Sequence, residues 1–568
     1  MKNVQAYIFF AFIFFSFQLQ AQKKIDYDSE RTIKNEEKYP GALIFSKVDK
    51  QVYFTHEGIE VWCDQAIFYE QDDFFKAFGN VQMKQGDTVT LTSKYAEYDG
   101  NTQFAFASNN VKLKTPSNTL TTDTLFFDRK KQESFYRSGG TVKDTASTIT
   151  SVIGRYYMQQ EKYSFVNDVV VTNKDYIINS QQLDFYTNTG HAYLYGPSTI
   201  TSDQSKVYCE RGFYDTRNDK GYFVKNSTVY YENRKLEGDS IYFDQTKNFA
   251  SATNNIKVTD TANSSVVKGH YAEVFKAKDS VFITKRAVAS MQQELDSIHI
   301  HSDTLMITGK TEHRIIRGFY KTRMYKTNMS GKCDSIHINE RNGLTQMLGK
   351  PVVWSGNNQL TGDTIHLLND TLSDKLDSLK VFYDAFMIQK DSVGGYNQVK
   401  GKEMYGLFNE ENELSEANFI KNTETIYYSR NEEQQLIGID KMLSSSIKIL
   451  FEDRQVTDIF YYNQPEGEML LPENFPENAR KLRGFNWRGE EQLTKKSDLF
   501  LDDPPLNLPK INGIPLPEEE DHFFDEQEKG EDPLLNEKSR LSPEKLQEQE
   551  SEKKETQKNP PEILKKKP

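Results

Sequence analysis

The sequence predicts an all-β protein, an elongated stack of repeated antiparallel strands, and three observations predict it. The 568-residue chain carries 37 Phe and 31 Tyr, residue types that favour strands. A pair of residues spaced i, i+2, and therefore on one face of a strand, recurs every 29 to 33 residues. Links between the apolar runs, such as "YDGNTQFA" at Asp99-Gly100 and "YDTRNDKGYF" before Gly221, carry the residues of tight reversals.

The elements follow in order. Residues 1–21 read as a secretory signal: Lys2, an apolar run at Tyr7–Phe17, and "LQA" ending at Ala21. The run is too short to span a bilayer comfortably, and no cysteine follows it to carry a lipid. Residues 22–38 read as a linker. The repeat occupies 39–370, with inward pairs Ala66/Phe68, Ala96/Tyr98, Leu125/Phe127, Gly154/Tyr156, Leu183/Phe185, Gly212/Tyr214 and Ile241/Phe243. It continues through Ala272/Val274, Leu305/Ile307, Ile336/Ile338 and Ile365/Leu367. Each unit is expected to hold a second strand, opened by a turn-like pair before Val81, Val111, Val142, Val169 or Val229. Residues 371–500 read as further β-rich chain with a polar insertion, resumption at Met404 and a cap. The stretch 501–568 holds 10 of the 17 prolines and, from Asp502, 18 acidic against 11 basic residues. It reads as a disordered acidic tail.

Such a unit cannot bury its apolar face alone, so the stack itself is the core. With strands about 4.8 Å apart, eleven units would extend over roughly 100 Å with two layers per unit and about half that with one.

One motif resembles a site. "GDSIYFDQ" at 238–245 puts an acid beside a hydroxyl, and "TDTLFFDR", "SDTLMITG", "CDSIHINE" and "GDTIHLLN" repeat it from Thr122, Ser302, Cys333 and Gly362. Nucleophilic catalysis needs a base within reach of the hydroxyl, and no histidine keeps a constant place in the units. An active site also occurs once, not five times. The motif is therefore expected to be structural, with the Asp/Ser pair at a strand corner and the Leu or Ile inward. His299 and His301 share a strand face and would suit zinc, but exposed strand histidines are the plainer reading. Cys63, Cys209 and Cys333 are expected as buried thiols, without a C-x-x-C for metal or redox work. One acid per ~30 residues is too sparse for a calcium ladder. No P-loop, G-x-S-x-G or H-E-x-x-H stands in the chain. A net charge of −12 argues against a nucleic-acid partner. No catalytic residue, metal or cofactor is assigned.

The recurring aromatics either fill a closed core or line an apolar trough. Phe68, Tyr98, Leu125, Phe127, Tyr156, Leu183, Phe185, Tyr214, Ile241 and Phe243 are the candidates for that lining.

The stretch "FKAFGNVQMKQGDTVTLTSKYAEYDGNTQFAFASNNVKL" (75–113) resembles the OstA-like modules of LptA-like lipopolysaccharide-transport proteins, which combine A-x-G-N-V with a later A-x-Y-D. "KMLSSSIKILFEDRQVTDIFYYNQPEG" (441–467) and "LRGFNWRGEEQ" (482–492) resemble the C-terminal part of long OstA-like proteins of Bacteroidetes-type bacteria. The resemblance implies a β-jelly-roll or "β-taco" whose apolar interior shields lipopolysaccharide acyl chains. It implies a periplasmic location, or attachment at the outer membrane, and no bond-changing activity. The implied partners are lipopolysaccharide and other transport proteins, an outer-membrane barrel component and an inner-membrane complex, joined through strand edges. Without the resemblance, an exported β-solenoid adhesin or a polysaccharide-degrading enzyme fits the same residues.

Overall fold

The computed structural model describes residues 24–514, apart from 204, 232, 263, 293–295, 311–312, 372–374 and 392–393. The expected signal (1–21) and the tail beyond 514 lie outside them. The chain divides into two parts, residues 1–512 and 513–568, and of the second only Gly513 and Ile514 are described.

The described residues of the first part form a single antiparallel sheet of 38 strands, each long strand paired with the next in sequence. The described residues contain no α-helix, and none of their helical turns is long and apolar enough to cross a membrane. Asp26–Asp28 and Arg31–Lys34, within the stretch read as a linker, are strands that pair with Val52–His56 and Leu43–Ser46. The Asp99–Phe104 link is a hairpin turn as expected. Asp99 Oδ1 accepts the amides of Asn101 (2.9 Å) and Thr102 (3.0 Å), an Asx turn that fixes the reversal.

The turn-like pairs are a different matter. Before Val81, Val111, Val169 and Ser227 they do not separate two strands. Each lies inside one strand of 11 or 12 residues and bends it, as in Phe104–Lys114 and Lys220–Tyr231. Asn109/Asn110, Asn167/Asp168, Lys225/Asn226 and Asn254/Asn255 all have positive φ, and the ladder slips at the 167/168 and 225/226 pairs. This is a β-bulge, which kinks a strand and raises its twist. Asn tolerates the left-handed region because its short amide finds local partners. Only at Val142 does the expectation of a separate strand hold, Gly140–Lys143.

Stacked bulges crease the sheet along its length into two facing walls. Small residues occupy the crease: Ser93, Thr122, Ser151, Ser180 and Cys209 are buried there. The hydroxyls of Ser93, Ser151 and Ser180 donate to the carbonyl two residues on, at 2.9, 2.8 and 2.7 Å. An acid fastens the bend from outside, the motif's Asp239 in one octet and Asp64 and Glu210 at the corresponding place in other units. Asp64, Glu210 and Asp239 each accept a hydrogen bond from the left-handed Asn80, Asn226 or Asn255 of a neighbouring strand, at 2.6, 2.6 and 2.8 Å. The octet at 238–245 thus lies at the crease.

The ladder resumes after Leu367. Leu376–Lys390 is a 15-residue strand whose Val381 pairs with both Ile365 and Met404, so the inward row continues.

The last described stretch corrects the expectation of a cap followed by a disordered tail from 501. From Pro472 to Asn512 the chain runs back over the outside of the ladder, first along one wall and then, past the bulge residue Asn254, onto the other at Tyr222. Gln398 donates to Arg480 O (2.8 Å), Gln359 to Asn486 O (2.8 Å), and Tyr325 to Thr494 O (3.2 Å). Further back, Asn254 donates to Pro509 O (2.9 Å) and Tyr222 to Asn512 O (3.0 Å). Phe475 and Leu482 pack on Phe386, Ile388, Ile426 and Tyr428, which the segment shields from water.

Candidate functional site

The space between the walls is the candidate site, and strand alternation decides what faces it. On one wall Phe68, Phe75, Tyr98, Ala105, Phe127, Ser134, Tyr156, Tyr163, Phe185, Ala192, Tyr214, Gly221 and Phe243 stand directly opposite one another, strand by strand. Leu125, Leu183 and Ile241 belong to the adjacent inward column, level with Ala107, Leu194 and Phe223. All ten residues picked from the sequence therefore face inward on one wall. Phe127, Phe185 and Phe243 are partly exposed, and the other seven are buried.

Large residues are accommodated by small ones. A Cβ at Gly221 would meet the Phe243 ring. Tyr156 and Tyr163 stack at 4.3 Å between ring centroids. Burial pushes the phenols of Tyr98 and Tyr136 up to about 12, so they stay neutral in an apolar setting.

The sequence reading marked second strands at residues such as Val142 and Val229 but named nothing on the opposite wall as lining. Its column runs Val61, Met83, Leu91, Leu113, Leu120, Val142, Ile149, Val171, Ile178, Ile200, Val207 and Val229. Farther on it holds Ala289, Ile300, Met324, Gly331, Val353, Leu360, Met387 and Val399. The signal was present as apolar residues one and three places after several bulge pairs, such as Val81 and Met83, Val111 and Leu113, and Val169 and Val171.

Polar side chains join the two walls at the mouth. His56 Nδ1 lies 2.7 Å from Tyr98 Oη, and Tyr163 donates to Asn118 Oδ1 at 2.6 Å. Gln103 donates to Glu57 Oε2 at 2.7 Å, and the Arg314 guanidinium to Asp260 Oδ2 at 2.9 Å and Glu340 Oε2 at 3.0 Å. Both Arg314 and Asp260 are buried, so each needs the other.

Beyond that pair the walls part around a cleft of about 530 Å³, lined by Met291, Ile298, Met324, Met329, Ile338 and Leu367 among others. Lys326, opposite Met329 in the ladder, stands at its edge. Burial lowers the pKa of its ammonium, against the pull of Asp296.

The remaining sequence candidates lie elsewhere. His299 and His301 are on the outer face. His301 is buried, not exposed, because the returning segment covers it: its Nε2 is 3.1 Å from Asp503 Oδ1, and the Phe500 ring lies against it. His299 Nδ1 is 2.9 Å from Ser290 Oγ. Among the described residues no three His, Cys, Asp or Glu side chains are grouped to hold a metal. Cys63, Cys209 and Cys333 are free and buried, and burial pushes each thiol up to about 12.

Against this geometry, residues 29–181 match the OstA-like protein family. Residues 29–181 are an OstA-like region. The creased, two-walled ladder of that region continues in register well past its end, through Phe419 and Ile447. Among solved structures the chain is similar to LptH, the LptA-homologous periplasmic component of the conserved lipopolysaccharide transport device of Pseudomonas aeruginosa. The two are 12% identical with a TM-score of 0.18, over 19% of this chain and 81% of that one. No curated protein matches the chain. Of the ten inward residues, Phe68, Tyr98, Leu125, Phe127 and Tyr156 fall within the OstA-like region.

Proposed function

We propose that this protein is an exported, periplasmic component of lipopolysaccharide transport that holds acyl chains between its two walls on the way to the outer membrane. The observation that carries the reading is the pair of inward columns: apolar side chains line both walls along the ladder, and some of them, such as Phe127, Phe185, Phe243, Met329 and Ile338, are only partly buried. Each Å² of apolar surface removed from water contributes about 25 cal/mol. Covering a lipid chain and this lining together would make an aqueous transit feasible. Shielding needs no bond to change, so the role assigned is binding and not catalysis.

The ladder's ends support a role for neighbours. Among the described residues, Gln455–Tyr462 and Glu466–Leu470 pair only with Leu436–Glu452, leaving an open edge at one end. Open edges recruit strands from other chains. Another transport component, at the inner-membrane complex or at the outer-membrane barrel, would dock there.

Photocrosslinking in cells tests the reading. Inward positions Phe185, Phe243 and Met329 are expected to capture lipopolysaccharide, and the outward, exposed Lys112 and Thr121 are not. Absence of capture at all three inward positions would sink it.

A further inference from the structure

The returning segment is tied to the ladder at three places of different kind, and together they hold its bend. On the outer face of one wall Arg323 donates to Leu499 O (2.6 Å) and Asp502 Oδ2 (2.8 Å), and His301 Nε2 lies 3.1 Å from Asp503 Oδ1. At the crease, the guanidinium of the bulge residue Arg286 lies 5.8 Å from the centre of the Phe500 ring, and the bulge residue Asn254 donates to Pro509 O at 2.9 Å. Tyr222 then donates to Asn512 O at 3.0 Å. Arg323 and His301 alternate with the inward Met324 and Ile300, and Tyr222 with the inward Gly221 and Phe223. The outermost anchors therefore belong to opposite walls.

The stretch between them is built for stiffness. Pro504, Pro505 and Pro509 make up half of the six residues 504–509. Proline fixes φ and has no amide to satisfy, so a run rich in it acts as a semi-rigid spacer, reaching about 3.1 Å per residue. Among the described residues no hydrogen bond holds 504–508, and all three prolines are exposed. The run keeps its reach through its own backbone and not through packing.

A connection on the outside of a bend has a mechanical consequence. Closing the walls onto one another lengthens the path around the crease, and spreading them shortens it. A spacer of fixed length tied to both walls resists both movements. Among the described residues its hydrogen bonds end at Tyr222, so strands such as Val89–Asp99 bend without it.

We propose that residues 503–512 are a strut that sets the angle between the two walls over the strands from Lys220–Tyr231 to Ser297–Thr308, and so the width of the space enclosed there. Detaching either end frees that angle. The strut acts whatever the space contains.

Spin labels on introduced cysteines of the full chain test it, the native thiols being buried. Lys247 and Ala262, both exposed, flank the creased strand Phe249–Asp260, one on each wall. Asp87 and Thr102, also exposed, flank Val89–Asp99 and serve as the control pair. Pro504→Gly, Pro505→Gly and Pro509→Gly together keep the anchoring carbonyl at 509 and remove the stiffness. Pulsed dipolar spectroscopy is expected to show a 247–262 distance distribution about twice as broad, with 87–102 unchanged. Tyr222→Phe with Asn254→Gly cuts two anchors instead, glycine suiting the φ of 59° at 254. That pair is expected to broaden 247–262 alike and to speed trypsin cleavage after Lys510 roughly tenfold, the loss of two hydrogen bonds. A 247–262 distribution that keeps its width in the proline variant, or in the anchor variant despite faster cleavage, overturns the strut. Equal broadening of both label pairs marks a general loosening and overturns it too.

Discussion

Replacing Gln359 with alanine is expected to release the returning segment from the wall beneath it. Gln359 is fully buried, its amide donates to Asn486 O at 2.8 Å, and its carbonyl accepts the Arg488 amide at 2.6 Å and the Trp354 indole at 3.3 Å. Alanine leaves a carbonyl and an N–H of the segment without partners. Each unmatched buried group costs about 1–3 kcal/mol, so about 2–4 kcal/mol of the segment's attachment is lost after water enters. At about 1.4 kcal/mol per decade, local opening becomes about 30- to 700-fold more frequent. Hydrogen exchange followed by mass spectrometry reads this directly in peptides covering 480–495, while a distant peptide such as 176–186 serves as the control. Exchange in 480–495 that changes less than threefold would refute the attachment described here.

Three further outcomes are expected. The thiols of Cys63, Cys209 and Cys333, held up to about 12 by burial, should resist iodoacetamide at pH 8 in the folded protein and all react in guanidinium; alkylation of any one without denaturant contradicts its placement. Gly221→Val should lower stability by about 1–3 kcal/mol, because its Cβ meets the Phe243 ring. The loss should be partly restored by Phe243→Leu in a double-mutant cycle of urea unfolding, and purely additive effects would refute the contact. At the crease, Asn110→Val should cost about 1–3 kcal/mol while Asn110→Gly costs little, since φ there is 59°; matching thermal midpoints for the two variants would contradict the bulge.

Much of this was legible in the sequence. Residues two apart share a strand face, so the pairs from Ala66/Phe68 to Ile241/Phe243 lie on one inward wall. The crease was not legible, because an Asn-Asn or Gly-Asn pair with positive φ looks alike in a hairpin and in a bulge. Spacing separates them: a hairpin would have left strands of four or five residues, too short to carry columns on both walls. Long-range packing hid the rest. His301 reads as exposed until Phe500 and Asp503, some 200 residues later, come to cover it. The covering segment reads as a cap up to 500 and as a disordered tail from 501, because its attachment uses backbone carbonyls and amides met by Gln359 and Gln398, which leaves no pattern in its own residues. Residues after Leu367 read as an insertion because the added length went into a longer strand.

The claim that acyl chains lie between the walls is tested most directly by a photocrosslinking scan along one strand, Ser335–Asn339, with lipopolysaccharide bound to the purified protein. Ile336 and Ile338 face inward and His337 between them faces outward. The account predicts capture that alternates with a period of two, strong at 336 and 338 and at background for 337. Capture of equal strength at all three positions, or strongest at His337, would contradict it.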